Sequence, residues 1–144
     1  MKRHNGFTLI ELVVVILILG ILAGVAAPKL LQTSATATDN GLHQTLSVVR
    51  DAIELYAANS GGTLPTCTAT GDDFRIALKP YIRGDFPKCP VGANLNSDVT
   101  PVTGATTVGD PTDGTGWKFN TDDGTFICNS NAASTTGGGT YDTF

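Results

Sequence analysis

Residues 6–28 read GFTLIELVVVILILGILAGVAAP, and this stretch decides how the rest of the chain must be organised. One carboxylate, Glu11, interrupts its apolar run, and from Leu12 to Ala27 no side chain is polar or charged. As a helix, Phe7–Ala27 spans about 30 Å at about 1.5 Å per residue, the thickness of one bilayer core. Lys2 and Arg3 ahead of it hold the amino terminus in the cytoplasm and put the carboxyl-terminal part outside the inner membrane. A secretory signal peptide needs a small-residue cleavage site. Val25-Ala26-Ala27 offers one, but Pro28 directly after the cut disfavours it. A plain signal anchor explains the span and leaves Glu11 unexplained. A carboxylate within hydrocarbon costs about 2.5–3.5 kcal/mol at a helix centre and less near an end. The ordinary account of Glu11 is that it sits near the cytoplasmic edge and reaches water.

Gly6-Phe7-Thr8-Leu9-Ile10-Glu11 followed by an apolar run resembles the cleavage and assembly motif shared by type IV pilins and type II secretion pseudopilins. The resemblance implies that a prepilin peptidase cuts between Gly6 and Phe7 and methylates the new amine. It implies also that Glu11 acts in assembly by pairing with the Phe7 amine of a neighbouring copy. Elementary electrostatics agrees. Cleavage creates an α-amine with a reference pKa of about 7.7–8, largely protonated at neutral pH. Buried among apolar helices, that cation and the Glu11 carboxylate each need an opposite partner. Gly20 and Pro28 fall where many pilins carry the glycine and proline bounding a helix stretch that kinks or loosens in the filament. Their alternative is ordinary, because membrane helices tolerate both, and Gly20-x-x-x-Gly24 also reads as a close-packing face.

Working outward, Leu42, Leu46, Val49, Ile53 and Tyr56 recur at helical spacing and form one apolar stripe. Asn59-Ser60-Gly61-Gly62 ends that helix and Pro65 reinforces the stop. Thr33–Gly41 is poor helix sequence, branched threonines followed by Asp-Asn-Gly, where a break and a restart near Leu42 compete with continuity. The organisation expected is a basic leader at 1–6, removed; a transmembrane and assembly helix at 7–28; its amphipathic continuation at 29–60; and a small head at 61–144 with long Thr- and Gly-rich loops. The fold class is α+β, a helix packed on a head with a short helix and an antiparallel β-hairpin or sheet.

In the head, Phe74, Leu78 and Tyr81/Ile82 share a helical face, and Lys79-Pro80 keeps that helix short. Gly92–Gly116 has almost no large apolar residue and reads as a surface loop. Trp117-Lys118-Phe119-Asn120 and Thr125-Phe126-Ile127-Cys128 alternate around an Asp-Gly turn, a hairpin signal. This hairpin resembles the Gly-Trp-x-(Phe/Tyr)-Asn ending of many pilin-like proteins, and Pro87-Lys88-Cys89-Pro90 the Pro-x-Cys-Pro of several small-headed ones. A head this small usually wants a covalent staple. Of the three cysteines, Cys89 with Cys128 is the favoured disulfide, and Cys67 with Cys89 is the alternative. No cysteine–histidine spacing suits zinc. No cofactor is expected. Calcium at Asp98, Asp110 and Asp113, on the pattern of a loop in the major secretion pseudopilin, is the weaker reading beside solvated turn residues.

The formal net charge is −4, and loss of Lys2 and Arg3 with the leader moves it from −4 to −6. An acidic, Thr- and Gly-rich surface is a poor footprint for nucleic acid, and none is expected as a partner. No phosphate loop and no nucleophile beside a base occurs, so the chain reads as a substrate of processing and not as an enzyme. The resemblance implies a filament subunit, a homo-oligomer, with membrane lipid around it before assembly. Its implied partners are the prepilin peptidase, an inner-membrane assembly platform and minor pilin-like subunits. The filament is expected in the periplasm or outside the cell. A major pseudopilin of type II secretion is slightly favoured over a major pilin. A membrane-anchored, extracytoplasmic binding module that never polymerises is the alternative.

Overall fold

A computed structural model of the protein describes residues 6–104 and 106–144. The rest of the expected leader, including Lys2 and Arg3, lies outside the described residues. Packing divides the chain into two units, up to Ala35 and Thr36–Phe144.

Helix α1, Leu9–Asn59, takes part in both. In the first unit every described residue except Ala35 is exposed, and α1 holds a window with mean hydropathy 3.0, long and apolar enough to cross a membrane. Thr33–Gly41 belongs to α1, so the competing break is absent in this chain. Two local bonds suit that result. The Thr33 hydroxyl donates to the Lys29 carbonyl at 2.9 Å, and the Thr45 hydroxyl to the Gly41 carbonyl at 2.8 Å.

In the second unit the expected stripe is the core face of α1, with Leu42, Leu46, Val49, Ala52 and Ile53 buried. They meet Phe74 and Leu78 of α2 (Asp72–Leu78), which ends before Lys79-Pro80 as the sequence demands. Gly71 supplies the left-handed turn into α2, φ 63°, and an added Cβ there would lie 2.9 Å from Val99 Cβ. Three strands complete the head: β1 (Val99–Val102), β2 (Trp117–Asn120) and β3 (Phe126–Cys128), in the order β1-β2-β3. The hairpin β2–β3 is antiparallel with Trp117 opposite Cys128 and Phe119 opposite Phe126, which puts these four on one face. Trp117, Phe119 and Phe126 are buried there with Phe74.

The surface-loop expectation for Gly92–Gly116 needs correcting. Val99–Val102 pairs in parallel with β2, Val99 beside Trp117, and Val99 is fully buried. An edge strand tolerates Pro101, because the proline's missing N–H costs no ladder bond on the open side. The sheet is therefore mixed. Its second face is also covered, since Lys118 and Asn120 are buried beneath the segment that joins β1 to β2. Asn120 Nδ2 donates to the Gly104 carbonyl at 2.7 Å and to Thr107 Oγ1 at 3.1 Å.

Candidate functional site

The amino-terminal end of α1 is closed by a reciprocal cap. Glu11 N–H donates to Thr8 Oγ1 at 3.3 Å, while Glu11 Oε2 accepts from the Thr8 amide and hydroxyl, each at 3.4 Å. Thr8 is the cap and Glu11 the third helical residue, so two orphan amides are satisfied at once. The Thr-x-x-Glu spacing announces this cap in the sequence, and the reading of Glu11 as an assembly residue passed over Thr8. Gly6 and Phe7 lie just ahead, outside the helix and exposed, Phe7 at 82%. The expected scissile bond is thus in accessible, non-helical chain four to five residues from Glu11. Among the described residues no cation pairs with Glu11. Gly20 and Pro28 both lie inside α1, so the isolated chain is helical at the two positions expected to loosen on assembly.

The head is tied to α1 through a second carboxylate. Asp39 is 1% exposed and receives Thr135 Oγ1 at 2.9 Å, Thr136 Oγ1 at 2.9 Å, Thr136 N–H at 3.1 Å and Tyr141 OH at 3.0 Å. Burial alone would push this carboxyl up. The hydrogen bonds from Thr136, Thr135 and Tyr141 outweigh burial and hold it below the ordinary 3.8. About three turns of helix further along α1, Arg50 donates to the Phe126 carbonyl at 3.1 and 2.9 Å and to the Phe144 backbone oxygen at 2.5 Å. The sequence reading found neither residue.

Of the cysteines, the structure brings Cys89 and Cys128 together, both buried and unbonded, with their sulfurs 3.1 Å apart. The contact pulls the Cys89 thiol down and pushes the Cys128 thiol up, a pairing that suits attack of one sulfur on the other once an oxidant engages it. Cys67 is half-buried in the stretch Gly62–Thr68 beside Thr121, where its thiol donates to the Thr68 carbonyl at 3.9 Å and meets no second sulfur among the described residues.

The three calcium candidates are each engaged separately. Asp98 pairs with Arg75 at 3.0 Å. Asp110 accepts from the hydroxyl and amide of Thr112. Asp113 takes Asn129 Nδ2, the Thr115 amide and the Lys118 ammonium, the last at 3.4 Å. Lys118 Nζ also donates to the Val108 carbonyl at 3.2 Å, so a tethered ammonium stands among the oxygens a divalent ion would want. The donor set does not fit calcium, and no acidic, histidine or cysteine cluster suited to a metal occurs among the described residues.

Comparison with known proteins agrees with the amino-terminal reading. Residues 1–27 match the prokaryotic N-terminal methylation motif. The chain is 38% identical over 65 residues to the type IV narrow pilus major component PilA5 of Thermus thermophilus, covering 45% of this chain and 55% of that protein. It is 38% identical over 56 residues to the type II secretion system core protein G of Klebsiella pneumoniae, covering 39% of this chain and 40% of that protein. It is 42% identical over 67 residues to the prepilin peptidase-dependent protein D of Escherichia coli K12, covering 46% of this chain and 45% of that protein. The chain thus spans about half the length, or less, of the curated relatives it matches. No solved structure matches it. The chain carries a prepilin-type methylation segment and is similar to type IV pilins and type II secretion core proteins alike.

Proposed function

We propose that the chain is a structural, non-enzymatic subunit of a type IV pilus-like filament, cut after Gly6 by a prepilin peptidase and methylated at Phe7. The observation that carries this reading is the position of Glu11, a carboxylate with no cation beside it among the described residues, at the head of an exposed apolar helix and five residues from the expected cut. Before assembly, lipid covers residues 7–28, with the head on the far side of the inner membrane. In the filament, other copies replace lipid against the same apolar surface. Each Glu11 then meets the Phe7 amine of a neighbour, and loosening between Gly20 and Pro28 lets the helices pack. An inner-membrane platform and minor pilin-like subunits supply the assembly machinery.

Two uses fit one architecture. The Thermus relative is named for a pilus and the Klebsiella relative for a secretion system. We favour the short secretion filament slightly, on the strength of a small head with one short hairpin. Deletion separates them: loss of long external fibres marks a pilus, and retained exoproteins without fibre loss mark a secretion filament. The test of the filament reading itself is Glu11→Ala. A subunit should then be processed and fail to assemble, whereas a membrane-anchored monomer should keep its full activity.

A further inference from the structure

The outer part of α1 in the second unit separates two flanks of opposite charge. Thr45 and Glu54, nine residues apart, point about 180° apart at about 100° per residue, with the buried Leu46–Ile53 line between them on the inner side. Beside Thr45 and Val48 a groove is closed by Ile82, Arg83 and Asp85. Ile82 and Asp85 also border a second cleft that includes Ile76 and Lys79. Lys79, Arg83 and Lys88 are exposed, and none of their side chains has a hydrogen bond or ion pair among the described residues. Arg75 is shared by Asp72 and Asp98. Arg75, Lys79, Arg83 and Lys88 against Asp72, Asp85 and Asp98 thus leave this flank an excess of one positive charge, carried by the unpaired lysines and Arg83.

On the other side Glu54 and Ala57 face Asp123–Phe126 across a groove. Asp51 and Glu54, three residues apart on α1, and Asp122 and Asp123 in the β2–β3 turn are all exposed. The cation there, Arg50, is turned inward onto the carbonyls of Phe126 and Phe144. Between the flanks the outward strip of α1 leaves Val48 46% and Leu55 52% exposed, and Ile76 on α2 is 70% exposed. An apolar centre between charged margins is the anatomy of a contact surface.

We infer that the basic flank around Lys79 and Arg83 docks against the acidic flank around Asp51, Glu54 and Asp123 of a second copy of this chain. Complementary charge identifies the occupant, since both halves of the match are on one molecule and point to opposite sides of the same helix. A patch that fits a different patch on the next copy makes a heterologous contact, which does not close into a dimer and propagates along an axis. The inference rests on the filament reading and gives it a head-to-head contact independent of the membrane helix and of Glu11.

The test uses the full chain produced in its assembling host, with sheared-filament yield and membrane-held processed subunit measured together. Lys79→Glu with Arg83→Glu should cut filament yield about tenfold or more through like-charge opposition, with processed subunit unchanged. Asp51→Lys with Glu54→Lys should do the same. The quadruple variant, whose flanks match again with the signs exchanged, should recover most of the yield. None of the four residues holds the fold together, so parental levels of processed subunit report that folding is intact. Parental yield from either double variant, or a quadruple variant no better than the doubles, overturns the contact and leaves the filament reading standing. Intact filaments with lost export or adhesion would give the flank to a different partner and overturn it as well. A parent chain that forms no filament at all removes both.

Discussion

The Tyr141 hydroxyl donates to Asp39 Oδ1 at 3.0 Å across 102 residues of sequence, and with Thr135 and Thr136 it ties the last part of the chain to α1. The tie uses a buried carboxylate with no ion pair among the described residues. Its strength therefore comes from hydroxyl and amide donors that converge on one acceptor, with the Thr136 and Ser134 hydroxyls also 3.1 Å from each other.

Asp39→Ala should lower stability by about 1–3 kcal/mol, since it takes the acceptor from the buried Ser134 and Tyr141 hydroxyls. Thermal unfolding of the detergent-solubilised full chain checks this. Because the folded carboxyl lies below its ordinary 3.8, its contribution is fully present above about pH 4 and is lost as pH falls through the folded value. Asp39→Asn should flatten that acid limb of the stability curve. An unchanged limb would show that Asp39 does not set it.

Oxidised protein should carry one disulfide, Cys89–Cys128, and lose about 2–4 kcal/mol when Cys128→Ser removes it. Cys67 should remain a thiol. Burial, helped by Asp73, pushes it up to about 12, so it should alkylate slowly at neutral pH in the folded state and fast after denaturation. Peptide mapping without reduction reads both results. A Cys67–Cys89 linkage would contradict the geometry.

Lys118→Met should loosen the segment 106–115, seen as faster amide exchange, and cost about 1–3 kcal/mol. The figure is below that for a fully buried pair because Asp113 keeps some contact with water. With the ammonium in place, the unfolding midpoint should not respond to millimolar calcium or to a chelator. A rise of several degrees with calcium would show that the ion displaces Lys118.

Gly116→Ala should destabilise the head by about 1–3 kcal/mol, since a Cβ there would stand 2.9 Å from both Asn94 O and Cys89 Cβ. Gly114→Ala is the control, because only its φ of 80° opposes it and nothing lies within 4 Å. Comparative denaturant unfolding of the two variants separates crowding from backbone strain.

What the sequence made legible was local. The apolar run after Glu11, the stripe from Leu42 to Ile53, the stop at Lys79-Pro80 and the alternation around Asp123-Gly124 each act over a few residues, and each appears in the fold. What escaped was non-local. Strand β1 has a proline and no alternation, and its partner β2 begins 18 residues after it does, so Val99 gave no sign of full burial. Asp39 looked like a helix-ending residue because its donors arrive from positions 134–141. Thr8 was legible through Thr-x-x-Glu, but Glu11 drew the attention. The Cys89–Cys128 contact was the favoured pairing from strand position alone, and the structure sets those sulfurs together.

The filament claim is tested most directly by the intact mass of the subunit sheared from cells. The chain should begin at Phe7, heavier by one methyl group, and lack the six leader residues. A subunit that still begins at Met1 would leave Glu11 with no Phe7 amine to meet. One that begins at Pro28 after cleavage behind Ala27 would lack Glu11 itself, and either result would contradict the account.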